Sequence, residues 1–278
     1  MKPLIVANWK CNPPTLKEAK LLFERVEKGL KDIKDVEVVI CPPFVYLPTL
    51  YVHHQVMNIK LNIKLGAQDC FWEQKGAFTG EVSPTMLKDL GCEYVIIGHS
   101  ERRKYLNETD GMVNKKLKAA LLVGLKPILC VGSKKRGEKG NKEMKVQLER
   151  ALAGIKKSEL KNIIITYEPI WAISTTKGSI VATPENTKEG KIFLRRNLTK
   201  LFGKTIAQKV KIIYGGSVDS TNIEDFIKVA QMDGVLIGAA SLRFDDFMAA
   251  VKTIDPVRSI SINCIFASNS KYQYFIDE

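Results

Sequence analysis

The chain has 278 residues, 45% hydrophobic and 26% charged, with a formal net charge of +13. This balance excludes a largely disordered chain, and no apolar run approaches the roughly 20 residues a bilayer demands, which excludes a helical membrane protein. Length is compatible with two small domains or with one α/β barrel of about 250 residues. The start, "MKPLIVANWK", lacks the apolar stretch and small-residue cleavage site of a secretory signal, so a cytoplasmic location is expected. The six cysteines are scattered with no C-x-x-C pair, the pattern of reduced thiols rather than of zinc or dithiol redox chemistry. The positive charge suits nucleic acid, a small phosphorylated substrate or simply a lysine-rich solvated surface.

In chain order, eight short apolar runs recur: "PLIVAN", "VEVVICP", "NIKLGAQ", "YVIIGH", "KPILCVG", "NIIITYE", "VKIIYGG" and "DGVLIGA". Most are apolar throughout, as expected for parallel strands covered on both faces. Helix signals lie between them. Thr15 and Glu18 form a capping box, followed by a stripe of Leu16, Ala19, Phe23, Val26 and Leu30. Gly124 closes another helix, and Thr183-Pro184-Glu185 opens one ahead of the seventh strand. Eight strand-then-helix units predict an α/β fold, an eight-stranded parallel (β/α)8 barrel standing as one domain. A doubly wound dinucleotide fold expects G-x-G-x-x-G where the chain reads "ANWKCNPP", and a phosphate loop expects lysine where Glu138 stands.

In such a barrel the chemistry sits where strands finish. The first strand ends at Asn8-Trp9-Lys10, the fourth at His99-Ser100-Glu101 and the sixth at Glu168. A carboxylate closing an apolar run costs solvation energy unless it is paired or used. The last two strands end in "YGGS" and "GAAS"; Gly215, Gly216 and Gly238 let the backbone approach a ligand, and N–H groups there, with the start of the next helix, predict an anion site that includes Ser217.

Together "ANWKCN", "GAQDCFWEQKGAFTGEVSPTML", "VIIGHSERR", "NETDGMVNKKLKAAL", "KPILCVG", "YEPIWAI", "IIYGGSV" and "GVLIGAASL" resemble the signatures of the triosephosphate isomerases, in family order over roughly residues 3 to 254. The resemblance implies a TIM barrel interconverting dihydroxyacetone phosphate and D-glyceraldehyde 3-phosphate in glycolysis and gluconeogenesis, with no cofactor and no metal, as a homodimer. A small phosphorylated triose, rather than nucleic acid or a membrane, is then the expected partner. By resemblance Glu168 is the base, His99 the electrophile that moves protons between oxygens, Lys10 the cation for enediolate and phosphate, and Asn8 positions its neighbours. This family is itself the standard example of a histidine kept neutral by a helix start, so that point is taken over from it; "HSERR" fits such a start. Glu101 would support Lys10, and Cys130 would lie buried near the base. Pro169, Ile170, Trp171, Ala172 and Ile173, with Ser174, Thr175, Thr176 and Lys177, resemble a lid, and Thr79 a residue reaching the partner's Asn8 and Lys10.

The chain departs from the family at four places. Ser174-Thr175-Thr176 replaces the usual Gly-Thr-Gly and precedes a long "KGSIVATPE", so a left-handed closed lid would cost about 1 to 3 kcal/mol and slow turnover. Ala239 replaces a second glycine at the phosphate site, Ser133 replaces a glutamate and is expected to alter a surface or interface contact, and the aromatic-rich residues 255–278 run past the family's usual end as a C-terminal extension, which leaves 1–254 as the single barrel domain. The altered lid and the charge motivate an alternative, a phosphate- or polyanion-binding barrel with little catalysis. A metal enzyme is disfavoured, since His53 and His54 are adjacent and lack ligand spacing.

Overall fold

The computed structural model describes residues 2–57, 63–173 and 181–255. All eight apolar runs are strands: β1 (Leu4–Asn8), β2 (Glu37–Cys41), β3 (Ile63–Ala67), β4 (Tyr94–Ile97), β5 (Lys126–Ser133), β6 (Ile164–Pro169), β7 (Ile212–Tyr214) and β8 (Gly234–Ile237). Each pairs in parallel with the next, and β8 returns to β1 to close the barrel. Around it run α1 (Leu16–Gly29), α2 (Leu47–Met57), α3 (Pro84–Asp89), α4 (Ser100–Tyr105), α5 (Asp110–Leu122), α6 (Gly137–Ala151), α7 (Pro184–Phe202), α8 (Lys204–Ala207), α9 (Ile223–Lys228) and α10 (Phe244–Thr253). None of the described helices is long and apolar enough to cross a membrane.

The caps form where the sequence places them. Thr15 Oγ1 accepts the Glu18 N–H and Thr183 Oγ1 the Asn186 N–H, each satisfying an otherwise orphaned helical donor. Ala19, Phe23, Val26 and Leu30 are fully buried, whereas Leu16, first on that stripe and first in α1, is 44% exposed.

Pleating explains why the strands read as unbroken hydrophobic runs. Leu4, Val6, Val39, Cys41, Ile96, Ile128, Cys130, Ile213 and Leu236 fill the barrel interior. Their neighbours Ile5, Ala7, Val38, Ile40, Val95 and Leu129 join the layer beneath the helices. The same alternation aims the site: Leu4, Val6, Asn8 and Lys10 share one parity, as do Ile164, Thr166 and Glu168. A polar side chain extending an inward row must emerge at the mouth.

The wall is unevenly knit. β5 and β6 share six register pairs, and a Cβ at Gly132 would fall 1.7 Å from the Glu168 carbonyl oxygen, so only glycine permits that approach. β7 and β8 share one described pair, Tyr214 with Val235. Ser133 is not the surface contact its sequence position suggests. β5 runs on to pair Ser133 with Pro169, which tucks the hydroxyl beneath α6; it donates to Glu143 Oε2 (2.6 Å) and accepts from Lys135 N (2.9 Å).

Candidate active site

At the C-terminal mouth of the barrel a cavity of about 390 Å³ is lined by Asn8, Lys10, His99 and Glu168, with Gly216, Ser217, Gly238 and Ala239 across from them. Residues from β1, β4, β6, β7 and β8 thus meet at one spot, as expected from their strand-end positions.

Glu168 is 2% exposed. Its Oε2 accepts the Ser100 backbone N–H at 3.0 Å, and its Oε1 lies 3.1 Å from His99 Nε2 without the alignment of a hydrogen bond. One carboxylate oxygen is therefore anchored and the other is buried without a hydrogen-bond partner among the described residues. His99 is the N-cap of α4, and its Nδ1 accepts the Glu101 N–H at 3.3 Å. An acceptor Nδ1 carries no proton, so Nε2 carries it and points toward the base and the cavity.

Lys10 adopts a left-handed backbone, φ 54°, uncommon for a residue with a side chain. Its N–H donates to Asn8 Oδ1 (3.0 Å), and Gln68 Nε2 donates both to the Lys10 carbonyl and to that of Cys41 (2.9 Å each). These bonds hold the strained turn, and the turn delivers the ammonium to the cavity, where it pairs with Glu101 Oε1 at 2.5 Å. Cys130, fully buried beside the base, has its thiol pushed well up by burial and by the Glu168 charge, so it stays protonated.

Beneath α4 lies a buried ion network. Lys116, 2% exposed, binds Asp69 Oδ2 (2.7 Å) and Glu108; Arg102 reaches Asp69 (2.8 Å) and Glu108 (3.2 Å). It ties the helix that begins at His99 to α5 and to the loop after β3.

The opposite wall is made of space. A Cβ on Gly215 would meet Thr166 and, at 3.1 Å, the Glu168 side chain; one on Gly216 would lie 2.0 Å from the Tyr214 hydroxyl. The helix expected directly after "YGGS" does not begin until Ile223, whereas a 3₁₀ turn starts at Ala239 immediately after Gly238. Ser217 Oγ donates to the Ala172 carbonyl (3.2 Å), joining this wall to the stretch past the base. There Pro169 ends β6, Ile170–Ala172 form a 3₁₀ turn, and Ile173 lines the cavity. Ser174, Thr175, Thr176 and Lys177 lie outside the described residues.

Trp171 faces the other way, into a smaller hollow of about 110 Å³, where the Arg136 guanidinium lies 4.3 Å above its ring and Arg136 Nη2 donates to Asn186 Oδ1 (3.2 Å). Thr79 is exposed on the loop ahead of α3 and does not line the cavity. No group of His, Cys, Asp and Glu among the described residues has metal-ligand geometry.

The sequence profile of the triosephosphate isomerases matches residues 3–254. The chain belongs to the triosephosphate isomerase family. The enzyme of that name from Carboxydothermus hydrogenoformans is 45% identical over 254 residues, covering 90% of this chain and 98% of the relative. That of Thermoanaerobacter pseudethanolicus is 46% identical over 253 residues (90% and 98%), and that of Dictyoglomus turgidum 43% over 255 (91% and 99%). Family membership carries with it an isomerase of triose phosphates on a TIM barrel. Within that frame Gln68, whose amide braces the Lys10 turn, is the residue sequence reasoning passed over. It stands at the end of the third strand, and the rule that found Asn8, His99 and Glu168 would have found it too.

Proposed function

We propose that this member of the triosephosphate isomerase family interconverts dihydroxyacetone phosphate and D-glyceraldehyde 3-phosphate with Glu168 as base, His99 as electrophile and Lys10 as fixed cation. The observation that carries the assignment is one carboxylate, 2% exposed, within 3.1 Å of His99 Nε2 and facing the cavity that Lys10 also lines. A bound substrate would draw Glu168 from the Ser100 N–H, and the carboxylate would take a proton from the carbon beside the carbonyl. The Nε2–H of His99 meets the carbonyl oxygen as negative charge develops there, and Lys10 offsets that charge in a site whose dipoles are already oriented. His99 then passes the hydroxyl proton of one oxygen to the other, so that the hydroxyl-bearing carbon becomes the carbonyl, and return of the carbon-bound proton from Glu168 to the neighbouring carbon gives the isomer, with no net gain or loss of atoms or electrons.

The phosphate would sit against Gly216, Ser217, Gly238 and Ala239, where missing side chains leave backbone N–H groups accessible. Pro169, Ile170, Trp171, Ala172 and Ile173 would lead into the lid, and Asn8 and Glu101 would support Lys10. A homodimer is supported by the loop bearing Thr79, where Phe71 stacks on Trp72 (4.1 Å) and Phe78 (4.8 Å) while Phe78 stays 43% exposed. A reducing compartment such as the cytoplasm suits the five described cysteines, all free thiols.

The test is isomerisation of D-glyceraldehyde 3-phosphate by the purified chain beside Glu168→Asp. The parent should turn over, and the shortened carboxylate, withdrawn by about one bond length, should lose roughly 10²-fold or more. Background turnover by both folded proteins would end the assignment.

A further inference from the structure

Two features of the sequence remain outside the isomerase: a surplus of thirteen positive charges and an aromatic-rich segment after residue 255. A groove of about 520 Å³ on the outer face of α7 connects them. Lys188, Ile192, Arg196 and Lys200 recur every fourth residue along α7 and so lie in one row, with the exposed Gln231 facing them from the loop before β8. Two other cations of this helix are committed elsewhere: Lys191 and Arg195 both pair with Asp233 (3.1 and 3.4 Å), and Arg195 also donates to the carbonyls of Ala207 and Val210. Lys188, Arg196 and Lys200 form no ion pair among the described residues, and Ile192 is 43% exposed in their midst. The surface therefore fits a short partner that combines apolar side chains with carboxylates.

The chain itself holds one such stretch. Outside the described residues the only acids are Asp277 and Glu278, and they follow Tyr272, Tyr274, Phe275 and Ile276. Reach is no obstacle: α10 packs on α9 and α9 on α7, so the path from Asp255 crosses about two helix spacings, roughly 20 Å, while residues 256–271 extend to about 50 Å. Tethering also raises the local concentration of the segment to the millimolar range, which lets weak surface pairs matter.

We propose that residues 272–278 dock in this groove of the same molecule, Phe275 and Ile276 against Ile192, Asp277 and Glu278 against Lys188, Arg196 and Lys200. Zero-length carbodiimide cross-linking of the full chain, read by peptide mass spectrometry, tests it. The expected links join Asp277 or Glu278 to Lys188 or Lys200, within one molecule when light and ¹⁵N-labelled copies are mixed. Arg196→Glu, which leaves both amines in place, should cut the yield of those links by about fivefold, and Phe275→Ser/Ile276→Ser should lower it as well. Each variant should keep the parent's isomerase turnover, which shows that it is folded. Links scattered over lysines remote from α7, links of mixed isotopic mass, or yields indifferent to Arg196→Glu would each overturn the proposal.

Discussion

The two sides of the barrel mouth are built by different means. On the side of β1 to β4, charged groups are held by other polar groups: Asn8 and Gln68 brace the left-handed Lys10, and the buried Lys116, Asp69, Glu108 and Arg102 lie beneath the helix that starts at His99. On the side of β7 and β8, the wall is short strands, one described register pair and glycines whose absent side chains define the cavity. Under the proposed function the difference reflects what each side must do. A reacting carbonyl needs charges fixed in place beforehand, because reorganising them during the reaction would add to the barrier. A phosphate carries its own charge and needs room for its oxygens and backbone donors to meet them.

Three measurements would break or sharpen this contrast. Lys116→Met should cost the most, about 3–5 kcal/mol in urea unfolding, because it leaves Asp69 and Glu108 buried without their shared cation. Gly216→Ala should cost less, about 1–3 kcal/mol, since the new methyl must displace the Tyr214 hydroxyl. Its kinetic signature should be a raised KM with kcat little changed. If Lys116→Met altered only KM and Gly216→Ala only kcat, the division of labour would be reversed.

The smallest effect is a pH slope. Burial pushes the Asp69 carboxyl up to about 6 despite Lys116 and Arg102, with the nearby Glu108 charge adding to the rise. The folded state thus holds a proton that the unfolded chain releases near 3.8. The stability this group contributes is full below that value and is lost as pH rises through about 6. Urea midpoints between pH 4 and 7 should show Asp69→Asn lacking that decline, and equal slopes for the two proteins would contradict it.

Much of this was legible in the sequence. Each apolar run became a strand because a parallel barrel buries both faces, and Asn8, His99 and Glu168, polar residues at the ends of their runs, line the cavity, Asn8 and Glu168 because they continue the inward rows of their strands. The ion network was not legible, since Lys116 reads like any lysine of an amphipathic helix and its partners are 47 and 8 residues away. Ser133 was misjudged because the end of β5 cannot be read from composition: Gly132-Ser133 resembles the start of a loop, yet it continues the ladder opposite Glu168-Pro169. The contact between Arg136 and Trp171 depends on the path of the turn entering α6, and no periodicity marks it.

That contact bears on how the enzyme tolerates variation in the long connection from β6 to α7. One guanidinium rests on Trp171, where the chain leaves β6, and bonds Asn186, in the first turn of the helix to which it returns. With both ends of the excursion stapled to the same side chain, closing the loop between them costs only logarithmically more as residues are added, about 0.6 kcal/mol per doubling. Length there can drift across a lineage while the carboxylate three residues before the tryptophan keeps its address.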